Sequence, residues 1–138
     1  MMPLLMLGAL LAAAMAGPSS DSAVGHWRSP TKNAVIEIQR CGASLCGRLV
    51  SSDDLRADPA RKDVNNKNPA LRGRPLKNML MLSGFRQESD AWVDGEVYNG
   101  ADGRTYSGRI TIVDANHLKL RGCVFVPLCK TETWTRLP

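Results

Sequence analysis

Hydrophobic and polar residues alternate along much of this chain, and an alternation with a period of two is typical of half-buried β-strands. In one clear case, Ile36 and Ile38 alternate with Glu37 and Gln39. The segment Leu76–Phe85 is more uniformly apolar and would also suit a helix, although its length and the glycine near its end favour a strand. The pattern predicts eight strands, at Ala23–Arg28, Ala34–Arg40, Cys46–Ser51, Leu76–Phe85, Trp92–Tyr98, Arg104–Val113, His117–Cys123 and Cys129–Arg136.

Turn signals between the later strands indicate a meander, in which each strand pairs with the next. Asn99-Gly100 and Asp102-Gly103 mark one reversal, and residues 114–116 mark another. Eight strands are enough to close a barrel, and closure removes the exposed edges of the sheet. We therefore predict an all-β fold, an eight-stranded up-and-down antiparallel barrel whose interior is filled by side chains or shared with one small ligand.

A long polar insertion, residues 52–75, separates the third and fourth predicted strands. Loops of this length are uncommon in compact domains and are often lids or binding loops. Pro59–Lys62 or Pro69–Arg72 could each form one helical turn, since proline is tolerated at a first helical position. The insertion is also rich in Asp and Asn, but 63–68 lacks the glycine and the glutamate of an EF-hand loop. We therefore predict turn-forming residues and no metal site, with a hard cation such as calcium as the weaker alternative.

Residues 1–16 have the character of a signal peptide. Their apolar run ends in a small-x-small pattern at Ala14 and Ala16, and it is shorter than the roughly 20 residues of a membrane-spanning helix. We expect a single domain at 17–138, with its core at 23–136, in a periplasmic or secreted bacterial protein without a transmembrane segment after cleavage.

The net charge of +5 is compatible with several anionic partners, including nucleic acid, lipid headgroups and an acidic envelope polymer. Export makes nucleic acid the least suitable of these, and the basic residues are scattered rather than gathered in a stripe. We therefore expect no nucleic-acid partner.

Four cysteines in an exported chain are most simply two disulfides. Three pairings are formally possible, and the short reversals between neighbouring cysteines favour Cys41 with Cys46 and Cys123 with Cys129. A zinc site made by all four would need a reducing compartment and usually closer pairs.

Several separated motifs together resemble a bacterial secreted family known as domain of unknown function 2147, whose members are calycin-like β-barrels. The resemblance covers about Gly25 to Arg136. It rests on 25–27 (GHW), 41–47, 68–76, 102–106 (DGRTY), 120–122 (LRG) and 133–136 (TWTR).

The resemblance implies a structural role for Trp27 and Arg136. In lipocalin-type barrels a tryptophan of the first strand lies under an arginine from the end of the chain, and this cation–π contact plugs the closed end. Arg74 matches another family motif and would pair with a ligand carboxylate or phosphate at the barrel mouth, or else donate to backbone carbonyls and hold the loop.

Catalytic motifs are sparse. No serine lies in a Gly-x-Ser-x-Gly elbow, and no cysteine stays free if both disulfides form. Asp94 and Glu96 share one face of a strand and would in principle serve as acid and base, but a polar outer face formed by 92, 94, 96 and 98 explains them better. We predict a protein that is not an enzyme and needs no cofactor, and a hydrolase stays as a third reading.

Two functional hypotheses follow. The first is a barrel that binds a small apolar or amphipathic molecule, with Arg74 and interior side chains as candidate ligand-binding residues. The alternative is a module that uses the basic insertion 52–75 to bind an envelope protein or an acidic polymer, or to act as an inhibitor. The interior candidates of the first hypothesis are Met79, Met81, Tyr98, Tyr106, Ile110 and Trp134.

Overall fold

The computed structural model describes residues 21–138, so the predicted signal peptide at 1–16 lies outside the described residues. Eight antiparallel strands form a closed barrel in which each strand pairs with the next and β8 pairs with β1. This confirms the predicted fold. The strands are β1 Gly25–Arg28, β2 Val35–Cys41, β3 Ser44–Ser51, β4 Leu80–Glu88, β5 Ala91–Asn99, β6 Arg104–Asp114, β7 His117–Phe125 and β8 Leu128–Arg136.

The insertion between β3 and β4 is folded. Helix α1, Asp53–Ala57, follows β3 directly, and its N-cap Ser52 accepts a hydrogen bond from the backbone N–H of Leu55. Leu55 is buried and belongs to the hydrophobic core cluster. A 3₁₀ turn at Pro69–Leu71 falls at one of the two places where a proline predicts a helical turn.

Strand β4 begins at Leu80, four residues later than the predicted Leu76. The preceding residues are committed to holding the insertion: the N–H of Leu76 donates to the carbonyl of Arg61, and the N–H of Asn78 donates to that of Leu49. Asn78 also has a φ of 63°, which is incompatible with an extended strand. The apolar run is therefore a strand, as predicted, but with a shifted start.

Strand β5 contains a β-bulge, which changes the side of the sheet expected for part of 92–98. Asp94 has a φ of 56°, and the pairing with β6 shifts between Trp92 and Gly95. Trp92 is buried in the core cluster and Asp94 is exposed. The prediction that Trp92 shares the outer face was wrong, because the extra residue of the bulge reverses the alternation, whereas Asp94 and Glu96 are exposed as expected.

Both predicted cysteine pairs are joined. Cys41 is bonded to Cys46 across the turn between β2 and β3, and Cys123 is bonded to Cys129 across the turn between β7 and β8, with Cα–Cα distances of 5.8 and 4.0 Å. Disulfides are typical of proteins from oxidising compartments, which is consistent with a secreted or periplasmic protein. Across residues 21–138, none of the helices has the length and apolar character needed to span a membrane.

One end of the barrel is closed by Arg136 and Trp27. The guanidinium carbon lies 4.3 Å from the centre of the indole ring, and the three guanidinium nitrogens donate to backbone carbonyls at 2.5 to 2.7 Å. Gly25 lets the arginine approach, because a β-carbon there would lie 2.5 Å from Nη1 of Arg136. Each nitrogen of this guanidinium donates a hydrogen bond within the fold.

Side chains fill the barrel axis at the level of Phe85. This residue is fully buried, and a β-carbon at Gly95 or Gly108 would overlap its ring. On the adjoining wall, a β-carbon at Gly47 would come within 2.9 Å of Leu82. The glycines let the barrel wall close on the two large side chains, which leaves no space for a ligand at this level.

Candidate functional site

A buried carboxylate, Asp63, lies at the centre of the folded insertion. Its side chain is fully buried and accepts hydrogen bonds from Arg74 Nε at 3.1 Å, Asn66 Nδ2 at 2.9 Å and the Tyr98 hydroxyl at 2.5 Å. A buried charge is costly unless it is paired and hydrogen-bonded, and these donors meet both requirements. Asp63 therefore ties two parts of the insertion to β5.

Tyr98 provides the contact surface on the barrel. Val97 packs against the core, so Tyr98 lies on the opposite, outer face of β5, where the insertion covers it. Burial, together with the hydrogen bond to Asp63, raises the pKa of Tyr98 to about 12. The phenol stays protonated at neutral pH and acts as a hydrogen-bond donor to the carboxylate.

The orientation of Arg74 leaves part of its guanidinium available. Its Nε is held by Asp63, and its guanidinium carbon lies 5.5 Å from the centre of the Tyr98 ring. The terminal nitrogens Nη1 and Nη2 meet no hydrogen-bond acceptor among residues 21–138, and the side chain is 40% exposed. The sequence left two roles open for Arg74. Its side chain donates to the carboxylate of Asp63 rather than to backbone carbonyls, which differs from the role of holding the loop through carbonyls.

The turn between β5 and β6 anchors the insertion from the other side. The Asn65 side-chain amide donates to the carbonyls of Gly100 and Ala101 at 3.3 and 3.2 Å. Gly103 has a φ of +71°, and a β-carbon there would collide with the carbonyl oxygen of Asn65. A glycine is therefore required both by the turn and by the close approach of the insertion.

An open cleft of about 500 Å³ lies between the insertion and this turn. Three of its lining side chains are basic, namely Lys67, Arg74 and Arg104. In the described part of the chain, neither Lys67 nor Arg104 pairs its side chain with a carboxylate, and Asp63 beneath them is shared among three donors. The cleft thus presents an excess of positive charge. It is lined by Asn66, Lys67, Asn68, Leu71, Arg74, Tyr98, Gly103, Arg104 and Thr105.

The other candidate ligand-binding residues are not gathered around this cleft. Ile110 and Trp134 are buried in the core cluster, Met79 is buried, and Met81 is partly buried against that cluster. Tyr106 shares the phase of Ile110 along β6 and donates a hydrogen bond to Asp102. The structure brings Arg74 and Tyr98 together and keeps both apart from the core residues.

A second polar cluster surrounds Glu132, a residue that belongs to none of the motifs described above. It accepts hydrogen bonds from the Ser29 hydroxyl at 2.8 Å, the Thr31 hydroxyl at 2.5 Å and Nε1 of Trp134 at 3.0 Å. Burial alone would raise the pKa of Glu132, but these hydrogen bonds outweigh it and lower the pKa below its usual value. This carboxylate ties the turn after β1 to β8.

Neither polar cluster has the composition of a metal centre. Within residues 21–138 there is no group of three or more His, Cys, Asp or Glu side chains arranged to hold a metal ion. Asp63 and Glu132 instead receive hydrogen bonds from Arg, Asn, Tyr, Ser, Thr and Trp side chains. Both carboxylates therefore serve as acceptors inside the fold.

The closed eight-stranded barrel, with an arginine over a tryptophan at one end, defines a lipocalin-like protein. Among solved structures, the chain is similar to protein HP1028 from the human pathogen Helicobacter pylori, which is described as belonging to the lipocalin family. The two are 26% identical with a TM-score of 0.75, and the match covers 83% of this chain and 82% of that chain.

The chain belongs to the family described as uncharacterized protein conserved in bacteria, DUF2147, whose model matches residues 25–136. This confirms the resemblance noted from the sequence. A comparison with curated proteins finds no match. The fold is thus that of a class in which small-ligand binding is common and catalysis is not typical.

Proposed function

We propose that this protein is a non-enzymatic binding protein that takes a small molecule bearing a carboxylate or a phosphate in the cleft beside the insertion. The observation that carries the proposal is the setting of Arg74, which is held through Nε on Asp63 with Nη1 and Nη2 left for a ligand. An arginine positioned in this way can bind an oxyanion through two parallel hydrogen bonds.

The electrostatics of the cleft support the same ligand class. Lys67 and Arg104 add positive charge without a carboxylate partner among the described residues. Leu71 and the Tyr98 ring provide apolar surface next to these charges. The cleft therefore suits a small anion with a short apolar or sugar-like body rather than a long hydrocarbon chain.

The filled axis around Phe85 argues against an apolar ligand deep in the barrel. A ligand at that level would have to displace a fully buried aromatic ring that packs against the backbone of Gly95 and Gly108. Such a displacement forfeits the dispersion contacts of a close-packed interior. The outer cleft requires no such rearrangement.

An NMR titration tests the proposal. Inorganic phosphate, citrate and glucose 6-phosphate are added to ¹⁵N-labelled protein, with glucose as the uncharged control. We expect salt-sensitive shifts of amide signals in 66–74 and 98–105 for the anions and none for glucose. Arg74→Lys and Arg104→Gln should weaken binding, whereas Arg28→Gln, which changes a cation outside the cleft, should not.

Anion shifts that spread over the whole surface, or that persist unchanged in Arg74→Lys and Arg104→Gln, would overturn the proposal. Fatty acids that shift signals of Ile110 and Trp134 with high affinity would favour a ligand in the barrel interior. Native mass spectrometry of protein purified from its own host would then identify the molecule retained.

A second candidate function is the binding of an acidic polymer or an acidic envelope protein. It is favoured by the folded structure of the insertion. Residues 52–75 carry six basic and four acidic side chains and form an exposed, folded surface above a filled core. A polymer would contact several cations at once, so its affinity should rise with chain length. Titration with glutamate oligomers of increasing length separates this function from binding of a single small anion.

A further inference from the structure

The hairpin between β7 and β8 ends in an exposed apolar tip. Val124, Phe125, Val126 and Leu128 are between 57% and 72% exposed, and the disulfide Cys123–Cys129 closes the base of the tip. Single exposed apolar residues are common on protein surfaces, but four within five positions of a protruding turn form a contiguous patch that marks an interaction site.

Two arginines next to the tip form no ion pair among residues 21–138. Arg109 and Arg121 are directly opposite each other on β6 and β7 and line a cleft of about 320 Å³ together with the tip residues 124–126. Like charges in cross-strand positions destabilise a sheet. In the part of the chain that the structure describes, neither arginine forms an ion pair, and the one carboxylate lining the cleft, Asp94, is held by Arg86 at 2.8 Å.

The geometry points to a membrane-docking hairpin: we propose that the tip at 124–128 inserts into the surface of an anionic lipid bilayer while Arg109 and Arg121 bind lipid phosphates. Short apolar segments bind at the boundary between headgroups and acyl chains, and neighbouring cations add attraction to anionic lipid. Lys130, at the base of the hairpin, has a side chain that is 81% exposed and forms an ion pair of 3.9 Å with Glu132, so the two arginines carry the unpaired charge. An anionic bilayer offers both an apolar layer for the tip and phosphates for the two arginines.

This docking surface is separate from the cleft at Arg74. It lies along the paired strands β6 and β7 and the turn after β7, and it shares no lining residue with the cleft between the insertion and the β5–β6 turn. A failure of one proposal therefore leaves the other standing.

Vesicle co-sedimentation tests the docking. The protein, purified from a bacterial envelope, is mixed with vesicles of phosphatidylcholine alone or with 30% phosphatidylglycerol. We expect binding to the anionic vesicles that weakens with salt. Phe125→Ser with Val126→Ser should lower the partition coefficient about tenfold or more, since two exposed apolar side chains are lost.

Matched variants separate the apolar and electrostatic contributions. Arg109→Gln with Arg121→Gln should remove most of the preference for anionic vesicles. Val113→Ser changes another exposed valine, 52% exposed and near the far end of β6, and should leave binding unchanged. Lys67→Gln, which removes a charge from the cleft at Arg74, should also leave vesicle binding unchanged.

NMR signals of the tip show whether binding takes place there or through another part of the chain. Amide signals of 124–128 should broaden on addition of anionic nanodiscs and stay sharp with inorganic phosphate alone. The proposal is overturned if the protein binds neither kind of vesicle, or if the variant Phe125→Ser with Val126→Ser binds as the wild type does. Capture of a protein partner by the tip without vesicle binding would also overturn it.

Discussion

Replacing Asp63 with alanine tests whether the buried carboxylate holds the insertion on the barrel. The substitution removes the acceptor of three hydrogen bonds, from Arg74, Asn66 and Tyr98. The Arg74 side chain is 40% exposed, so its guanidinium can bind water instead and its share of the loss is small. The buried Asn66 amide and the covered Tyr98 hydroxyl have no such replacement.

The magnitude follows from these two groups. Leaving a buried donor without its partner costs about 1–3 kcal/mol, so Asp63→Ala should lower the free energy of unfolding by roughly 3 kcal/mol. Breaking a buried ion pair costs about 3–5 kcal/mol, which sets the upper limit here because one partner reaches solvent. Against a typical domain stability of about 5–15 kcal/mol, this loss is large.

Urea unfolding followed by far-ultraviolet circular dichroism measures the global free energy, and limited trypsin digestion reports local opening of the insertion. Asp63→Ala should speed cleavage within 52–75 before the barrel unfolds. Asp54→Ala is the matched control, because Asp54 lies in the same insertion and forms only exposed ion pairs with Lys32 and Arg61, worth less than about 1 kcal/mol.

Asp63→Asn separates charge from shape. It keeps an oxygen for the Tyr98 hydroxyl but places an amide N–H₂ against the donors of Arg74 and Asn66, so we expect an intermediate loss. The reasoning fails if Asp63→Ala has the stability and the tryptic cleavage rate of Asp54→Ala.

Three further predictions concern groups around the same end of the barrel. Gly103→Ala should lower the melting temperature by several degrees through its positive φ and its contact with the insertion, whereas Gly73→Ala, with open space around its β-carbon, should not. The pKa of Tyr98 is raised from 10 to about 12, so the stability contributed by this phenol should be complete below pH 10 and lost as pH rises from 10 to 12. Ultraviolet titration should show the late ionisation, and Tyr98→Phe should remove that titration step. The pKa of Glu132 is lowered from 4.5, so the stability contributed by this carboxylate should be present above pH 4.5 and lost as pH falls through the lower pKa of the folded state. Glu132→Gln should flatten this part of an acid unfolding curve. An unchanged curve would contradict the role given to the Glu132 hydrogen bonds.

The alternation of apolar and polar residues predicted most of the strands, because each of them has one face in the core, and the turn signals and the strand number predicted the closed barrel. Strand β4 is more uniformly apolar and was predicted from its length and its glycine. The same alternation misplaced Trp92. A single residue in the left-handed conformation, Asp94, reverses the phase of β5. The pair Asp94-Gly95 is a local sign of a bulge, which alternation alone does not detect.

The buried role of Asp63 was beyond the reach of sequence patterns. Local composition assigns it to a turn, and its burial depends on Tyr98, which is 35 residues away in the chain. Glu132 offered a better signal, since it alternates in phase with Trp134 on the last strand and so shares the inward face. A carboxylate in phase with a core tryptophan indicates a polar group that needs partners inside the fold.

The distribution of these groups explains why binding is expected outside the barrel. Arg136 seals one end with every guanidinium nitrogen committed, and Phe85 fills the axis. Arg74 differs from Arg136 in one respect: its anchor is a buried carboxylate that uses Nε alone. A charged group that is held firmly but not fully hydrogen-bonded retains the capacity to bind an anion, and the folded insertion places that group on the surface.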